Sequence, residues 1–391
     1  MTPAARYAAA IPVLDQILGG AAVEPVLAGW GRQNRYAGSK DRAALRDIVF
    51  DVLRAKRSLA ALGGAETGRG LVLGLLRRDG PAPEGVFGAG RYAPEALTDA
   101  ERAHLSEDVT FTPGEALDLP DWLIPHWRAA LGDAAEVVAA LGRGRGPVTL
   151  RVNRAKADRA TAQAVLEADG IGTCVVAGVS TALIVERNPR RVMASSAYRD
   201  GLVELQDSAS QEAMEALPLA AGDKVLDYCA GGGGKALAIW DRTRSPVVAH
   251  DADPRRMVDL PARAARAGAE VSRADADEVR RKGPYDLVLC DAPCSGSGTW
   301  RRTPRSKWEL TAERLKELNR MQGDILVAAS ALVAPGGTLA YATCSVLSDE
   351  NEAIVDAFRA AAPGWSVERE LRLVPTEERD GFFLAVLTRH P

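Results

Sequence analysis

The hydrophobic positions follow two different periods along the chain. Over residues 1–140 they recur at helical spacing. In SKDRAALRDIVFDVLRAKRSLAAL, Leu45, Ile48, Val49, Val52, Leu53 and Leu59 share one face, with Ser39 as the expected N-cap and Asp41 in the first turn. That pattern predicts a helical bundle with Arg42, Arg46, Arg54 and Arg57 facing outward. A Pro/Gly-rich stretch over 78–97 interrupts it, LPDWLIPHWRAALGDAAEVVAALG resumes it, and GRGRGP marks the domain edge.

From Val148 the period shortens. VTLRVN and TALIVE flank the helix-like DRATAQAVLEADG, which predicts a small α/β unit over 145–205. Further on, strands alternate with helices: KVLDYCA (224–230), VVAHDAD (247–253), EVSRADA (270–276), DLVLCDAP (286–293), GTLAYATCS (337–345) and GFFLAVLTR (381–389). Helices between the first five predict a doubly wound, Rossmann-like parallel sheet over 206–391, and such sheets bind ligands beyond the carboxyl ends of their strands.

Composition narrows the function classes. A chain of 391 residues, 47% of them apolar, exceeds one core and predicts two or three domains. No run approaches the roughly 18–20 apolar residues of a membrane span. MTPAARYAAAIPVLDQ is broken by Pro12 and Asp15 before a signal-like core forms, so a cytoplasmic protein without membrane partners is expected, as a monomer. Five cysteines, odd in number and without zinc-ligand spacing, argue against disulfides, and with only four scattered histidines no metal site is expected. The net charge is −3, yet residues 1–78 hold twelve Lys/Arg against six Asp/Glu, and 142–159 hold six against one. Such basic islands suit a nucleic-acid backbone as well as a solvated face.

The chemistry sits at predicted strand ends. DYCAGGGGK closes the first strand and opens a helix, and Gly231, Gly232, Gly233 and Gly234 let the backbone approach a ligand beside the helix N-terminus. Asp251 lies where a ribose-binding carboxylate is expected, Asp275 is placed to accept from an adenine amino group, and Asp291 follows the fourth strand. A ring of carboxylates complements the cationic S-adenosylmethionine and would repel a pyrophosphate.

Cys294 and Cys344 each lie in a small-residue turn just past a strand, whereas Cys174, Cys229 and Cys290 read as packing residues. Two thiols at one edge suit methyl transfer to carbon 5 of a pyrimidine. One thiolate adds to carbon 6 and makes carbon 5 nucleophilic, while the second serves the release step. Asp291 is placed to hydrogen-bond the cytosine edge, and the cations Arg301, Arg302, Arg305 and Lys307 to favour a thiolate or hold phosphate.

DYCAGGGGK, VVAHDAD, DLVLCDAPCSGSGTWRRTPRSKW, YATCSVLSDENE and DGFFLAVL, in this order, resemble the motifs of the RsmB/NOP2/Sun family of RNA 5-methylcytosine methyltransferases. The resemblance covers the whole chain. Residues 1–140 resemble the NusB-like helical domain of the family's bacterial small-subunit ribosomal RNA enzyme, and 145–205 its small RNA-binding unit. It implies that Cys344 is the nucleophile and Cys294 the helper for release. It also implies that Cys229, Ala230, Gly231–Gly234 and Lys235, with Asp251, Asp275 and Asp291, hold S-adenosylmethionine; from their charge, Arg301, Arg302 and Lys307 are the expected RNA contacts. Gly231 and Gly232 stand where the family usually has alanine then proline, which makes the loop costlier to order by about 0.4–1 kcal/mol. The competing readings are a transfer RNA enzyme, a DNA cytosine methyltransferase attacking from Cys294, and a noncatalytic ribosomal RNA-binding factor.

Overall fold

The computed structural model describes residues 1–389 and contains two compact units. One is built from Met1–Pro125, Ala134–Arg145 and Trp300–Glu309, the other from His126–Asp133, Gly146–Thr299 and the chain from Leu310 onward.

The first unit is helical. Helices Pro3–Leu18, Ser39–Arg54, Lys56–Gly63 and Gly68–Asp79 bury Leu14, Leu45, Val49, Val52, Leu59, Leu71 and Leu76 in one core. The amphipathic run that begins at Ser39 is not one helix. It breaks at Ala55 (φ −126°, ψ 34°), and its N-cap is Gly38, without a side-chain cap. The break lets the next two helices touch backbone to backbone: a Cβ on Gly74 would lie 2.0 Å from the Leu59 carbonyl oxygen, so no other residue fits there. Arg54, expected outward, is 5% exposed, because residues 300–309 pack over the end of its helix. There Arg54 Nε donates to the Arg301 carbonyl (2.7 Å), Lys307 Nζ to the Arg54 carbonyl (2.9 Å) and Trp308 Nε1 to the Leu53 carbonyl (2.7 Å).

The second unit carries two sheets. Strands β1 (Val148–Val152), β2 (Thr173–Val175), β3 (Ala182–Val185) and β4 (Val203–Leu205) form an antiparallel sheet in the order β2-β3-β1-β4. Helix Arg159–Ala168 packs on it through Ala162 and Leu166. The larger sheet comprises β5 (Val225–Asp227), β6 (Val247–Ala249), β7 (Val271–Arg273), β8 (Tyr285–Asp291), β9 (Val333–Thr343), β10 (Trp365–Leu373) and β11 (Phe382–Arg389). Its order is β10-β11-β9-β8-β5-β6-β7, parallel from β7 to β9 and antiparallel at β11 and β10.

Both faces of this sheet are buried, which explains its almost continuously apolar strands. Val288 and Cys290 point into the cluster with Leu326, Ile354 and Phe358, while Leu287 and Leu289 point the other way, toward Met214 and Ile239. Strand order reverses between β5 and β8, so a crevice for ligands opens at their carboxyl ends. Among the described residues no single helix is long and apolar enough to cross a membrane, and no group of three His, Cys, Asp or Glu side chains is arranged to hold a metal ion.

Candidate active site

The two thiols meet because β8 and β9 are neighbours in register. Asp291 pairs with Ala342, and the Ala292 N–H donates to the Ala342 carbonyl (2.9 Å). The turns that follow therefore leave the sheet side by side. Cys294 and Cys344, fifty positions apart in sequence, stand with Sγ atoms 3.5 Å from each other.

A hydrogen bond from Cys294 is the largest influence on Cys344 and lowers its pKa below the ordinary thiol value. Burial and Asp291 oppose this, while Lys235 and the Thr299 hydroxyl assist. Cys294 moves the opposite way, pushed well up by its bond to Cys344, by burial and by the charges of Cys344 and Glu350. Of the two, Cys344 therefore gives up its proton the more readily and Cys294 the less. Lys235 Nζ lies 2.5 Å from Asp291 Oδ2, and although burial works against its charge, Asp291 raises its pKa.

Across the crevice, the glycine loop runs from β5 into helix Gly234–Thr243, whose N-cap Gly233 supplies no side-chain cap. Gly231 (φ +50°) and Gly233 (φ +78°) are left-handed, and a Cβ on Gly233 would lie 2.1 Å from Leu260 Cδ1. Gly231 therefore suits its backbone better than the alanine usual there, since a left-handed non-glycine residue costs about 1–2 kcal/mol. Asp251 anchors this loop: its carboxylate accepts from the Gly231 N–H (3.0 Å) and the Asp253 N–H (2.9 Å) and pairs with Arg256 (3.0 Å). Oδ2 takes both the Gly231 N–H and Arg256, so Oδ1, which takes the Asp253 N–H, is the oxygen that keeps a lone pair for a ligand hydroxyl. Asp275 caps helix Ala276–Lys282 in a capping box with Glu278, which uses one of its oxygens. Cys229 is pushed far above the thiol range by burial and by Asp227, Asp291 and Asp251, so it is an inert thiol.

Two carboxylates were missed in the sequence. Asp227 ends β5 fully buried, and neither of its oxygens has a hydrogen-bond partner among the described residues. Burial, reinforced by Asp291, raises its pKa from 3.8 to about 7. Glu350 is also fully buried, beneath the two thiol-bearing turns. The signals were present, one acid inside the apolar KVLDYCA and another in the acidic run SDENE, but neither shows burial by itself.

The expected RNA contacts of Arg301 and Lys307 are corrected by the structure. Both are 4% exposed inside the helical unit, and burial lowers the pKa of Lys307 to about 8. Arg302 is half-buried. Lys307→Met is expected to destabilise the protein by about 1–3 kcal/mol, by leaving the Arg54 carbonyl without its donor. It should leave the salt dependence of RNA binding unchanged. A phosphate contact would instead lower that slope by about one, so parallel melting curves and salt titrations separate the two roles.

Comparison with known proteins agrees with this architecture. Residues 214–388 match the family model described as 16S rRNA methyltransferase RsmB/F, and 119–192 match the ferredoxin-like domain of RsmF/B-like methyltransferases. Ribosomal RNA small subunit methyltransferase B of Citrobacter koseri is 32% identical over 294 residues, which is 71% of this chain and 68% of that protein. The chain belongs to the RsmB/F family. The Vibrio cholerae protein of the same name is 35% identical over 69% of this chain, and the match spans 65% of its length. Among solved structures, PH0851 superposes with a TM-score of 0.75 at 23% identity, covering 99% of each chain. NSun6 from Pyrococcus horikoshii, solved with the S-adenosylmethionine analogue SFG, superposes at 0.62 and 18% identity, covering 71% of this chain and all of that one. At these identities the structural likeness speaks for the fold alone.

Proposed function

We propose that this RsmB/F protein transfers a methyl group from S-adenosylmethionine to carbon 5 of a cytosine in RNA, through a bond between Cys344 and carbon 6. The observation that carries the reading is the thiol pair, 3.5 Å apart, in which Cys344 is the more acidic member. The names of its relatives favour 16S ribosomal RNA as substrate, and with it a cytoplasmic site of work.

The crevice suits a cationic donor. Asp227 offers two buried oxygens without partners, Gly231 and Gly233 let the backbone come close, and Asp251 and Asp275 keep acceptor capacity. S-adenosylmethionine, when bound, supplies an electrophilic methyl group. Everything else falls to the chain.

The Cys344 thiolate adds to carbon 6 of cytosine, and the displaced ring electrons make carbon 5 nucleophilic. Asp291, held by Lys235, accepts from the amino group of cytosine, which uracil lacks, and from ring nitrogen 3 once that nitrogen is protonated. Once Cys344 is bonded to carbon its charge is spent, so the influence that kept Cys294 protonated disappears. Cys294 can then lose its own proton to solvent and serve release: its thiolate takes the proton from carbon 5, the C–H electron pair closes the 5,6 double bond, and the C6–S pair leaves on Cys344 as thiolate.

The helical unit and the four-stranded unit are the proposed RNA grips, the latter overlapping the ferredoxin-like match through β1, β2 and β3. Two measurements test the reading. RNA carrying 5-azacytidine should trap the protein covalently, and bisulfite sequencing of 16S ribosomal RNA should lose one 5-methylcytosine when the gene is removed. An untrapped protein whose removal changes no cytosine would leave only an RNA-binding role.

A further inference from the structure

Beneath the thiols lies a carboxylate that touches neither of them. Glu350 is 0% exposed, and the groups bonded to it carry no charge. One oxygen accepts from the Ser295 N–H (2.7 Å) and Gln322 Nε2 (3.1 Å), the other from the Ser295 hydroxyl and the Ser345 hydroxyl (2.5 Å). Ser295 follows Cys294 in the turn after β8, and Ser345 follows Cys344 in the turn after β9. Gln322, from helix Ala312–Ser330, also donates to the Pro293 carbonyl (2.9 Å).

The two turns are sewn together around this point. Ser297 Oγ lies 2.8 Å from Ser345 Oγ and accepts from the Val346 N–H (2.9 Å), and the Gly298 N–H donates to the Cys344 carbonyl (2.9 Å). Tyr341 donates to the Glu350 carbonyl (2.6 Å), and the neighbouring Asn351 donates to the Ser345 carbonyl (3.0 Å). Burying a carboxylate is costly unless its acceptor sites are filled, and here four donors from three elements fill them. Such an arrangement fixes the geometry of whatever it joins.

We propose that Glu350 is a positioning residue that holds the Cys294 and Cys344 turns in register and biases the thiol pair electrostatically. This rests on the two-thiol reading of the site. Cys344 and Glu350 both act on Cys294 to hold its proton, the Gly296 N–H opposes them, and Tyr341 lies close by. Cys344 has Lys235 and the Thr299 hydroxyl on its favourable side and Asp291 against it. The Glu350 charge therefore favours a proton on Cys294 and leaves the thiolate to Cys344.

The test is alkylation of the full-length protein by iodoacetamide across pH 6 to 9 without RNA, mapped by mass spectrometry, beside steady-state methylation. The wild type should label at Cys344 first. Glu350→Gln keeps the shape but loses the charge, and it should reduce the preference for Cys344 at least fivefold. It should also lower kcat at least tenfold with KM for RNA changed less than threefold. Glu350→Asp keeps the charge and should retain the labelling preference. Ser345→Ala, which removes one tie and no charge, should lower kcat while keeping that preference, and it serves if Glu350→Gln does not fold. A folded Glu350→Gln protein with wild-type labelling, or Ser345→Ala with wild-type kcat, would overturn the proposal. Because labelling needs no RNA, a protein that labels as expected but never methylates cytosine refutes the proposed function rather than this one.

Discussion

Cys294→Ala is expected to accumulate a protein–RNA adduct that survives denaturing electrophoresis, while Cys344→Ala forms none and loses methylation by on the order of a thousandfold or more in kcat. The two outcomes differ because the thiols act at different steps. Without Cys344 no bond to carbon 6 forms. Without Cys294 the bond forms and its release stalls, so the double variant should show no adduct. The structure adds a pH signature. The hydrogen bond from Cys294 is the main influence keeping Cys344 acidic, so its removal raises the Cys344 pKa back into the ordinary thiol range. Adduct formation by Cys294→Ala should therefore quicken as pH rises through that range, and attack by the intact pair should quicken at lower pH than in the variant. A trapped Cys344→Ala protein and an untrapped Cys294→Ala protein would reverse the assignment and give the attack to the turn after β8.

Asp227→Asn should make the protein more stable and worse at binding its methyl donor. The folded-state pKa of this carboxyl is raised from 3.8 to about 7. A raised acid favours folding only in its protonated form, so its contribution falls as pH climbs from about 4 and is fully lost above about 7. At about 1.4 kcal/mol per pH unit, the penalty above pH 7 amounts to at most about 4 kcal/mol. Asparagine removes it, so the variant's gain in melting temperature should be absent near pH 4 and greatest at pH 8. Binding has the opposite sign. A cationic donor needs the carboxylate, so wild-type affinity for S-adenosylmethionine should rise about tenfold per pH unit up to 7 and flatten beyond it. The variant should bind at least tenfold more weakly at pH 8, since a hydrogen bond to a charged group contributes about 1.5–3 kcal/mol. Calorimetry that finds equal affinity in both proteins would remove Asp227 from the donor site.

What the sequence made legible follows from how each element is buried. The parallel strands were readable because a sheet covered on both faces needs nearly unbroken apolar runs, and β8 and β9 have them. β10 was missed because it is an edge strand: in WSVERELRL only Trp365 and Leu373 are buried, and the charged residues between them hide the period. The charge signal misled in a consistent way. Arg54, Arg301 and Lys307 were read as outward because charged residues usually are, yet each is buried. Pairing across fifty positions, which brings Cys294 to Cys344, depends on β8 lying beside β9, and no local spacing specifies that neighbour. Burial of Asp227 and Glu350 is likewise a property of the assembled packing, so the acids most informative about the site were the least visible.

The composition of the helical unit also sets an order of events during synthesis. Its first helices emerge early, but Trp300–Glu309 is the last piece of the same unit. Until then Arg54 Nε lacks the Arg301 carbonyl, and the Leu53 and Arg54 carbonyls lack Trp308 and Lys307. At about 5–20 residues per second, translation from Arg145 to Glu309 takes roughly 8–30 s. The helical unit therefore waits on the ribosome with one end unfinished while strands β1 to β8 are made, and a nascent chain stalled before Trp300 should be far more open to proteolysis at the Arg54 helix end than one stalled after Glu309.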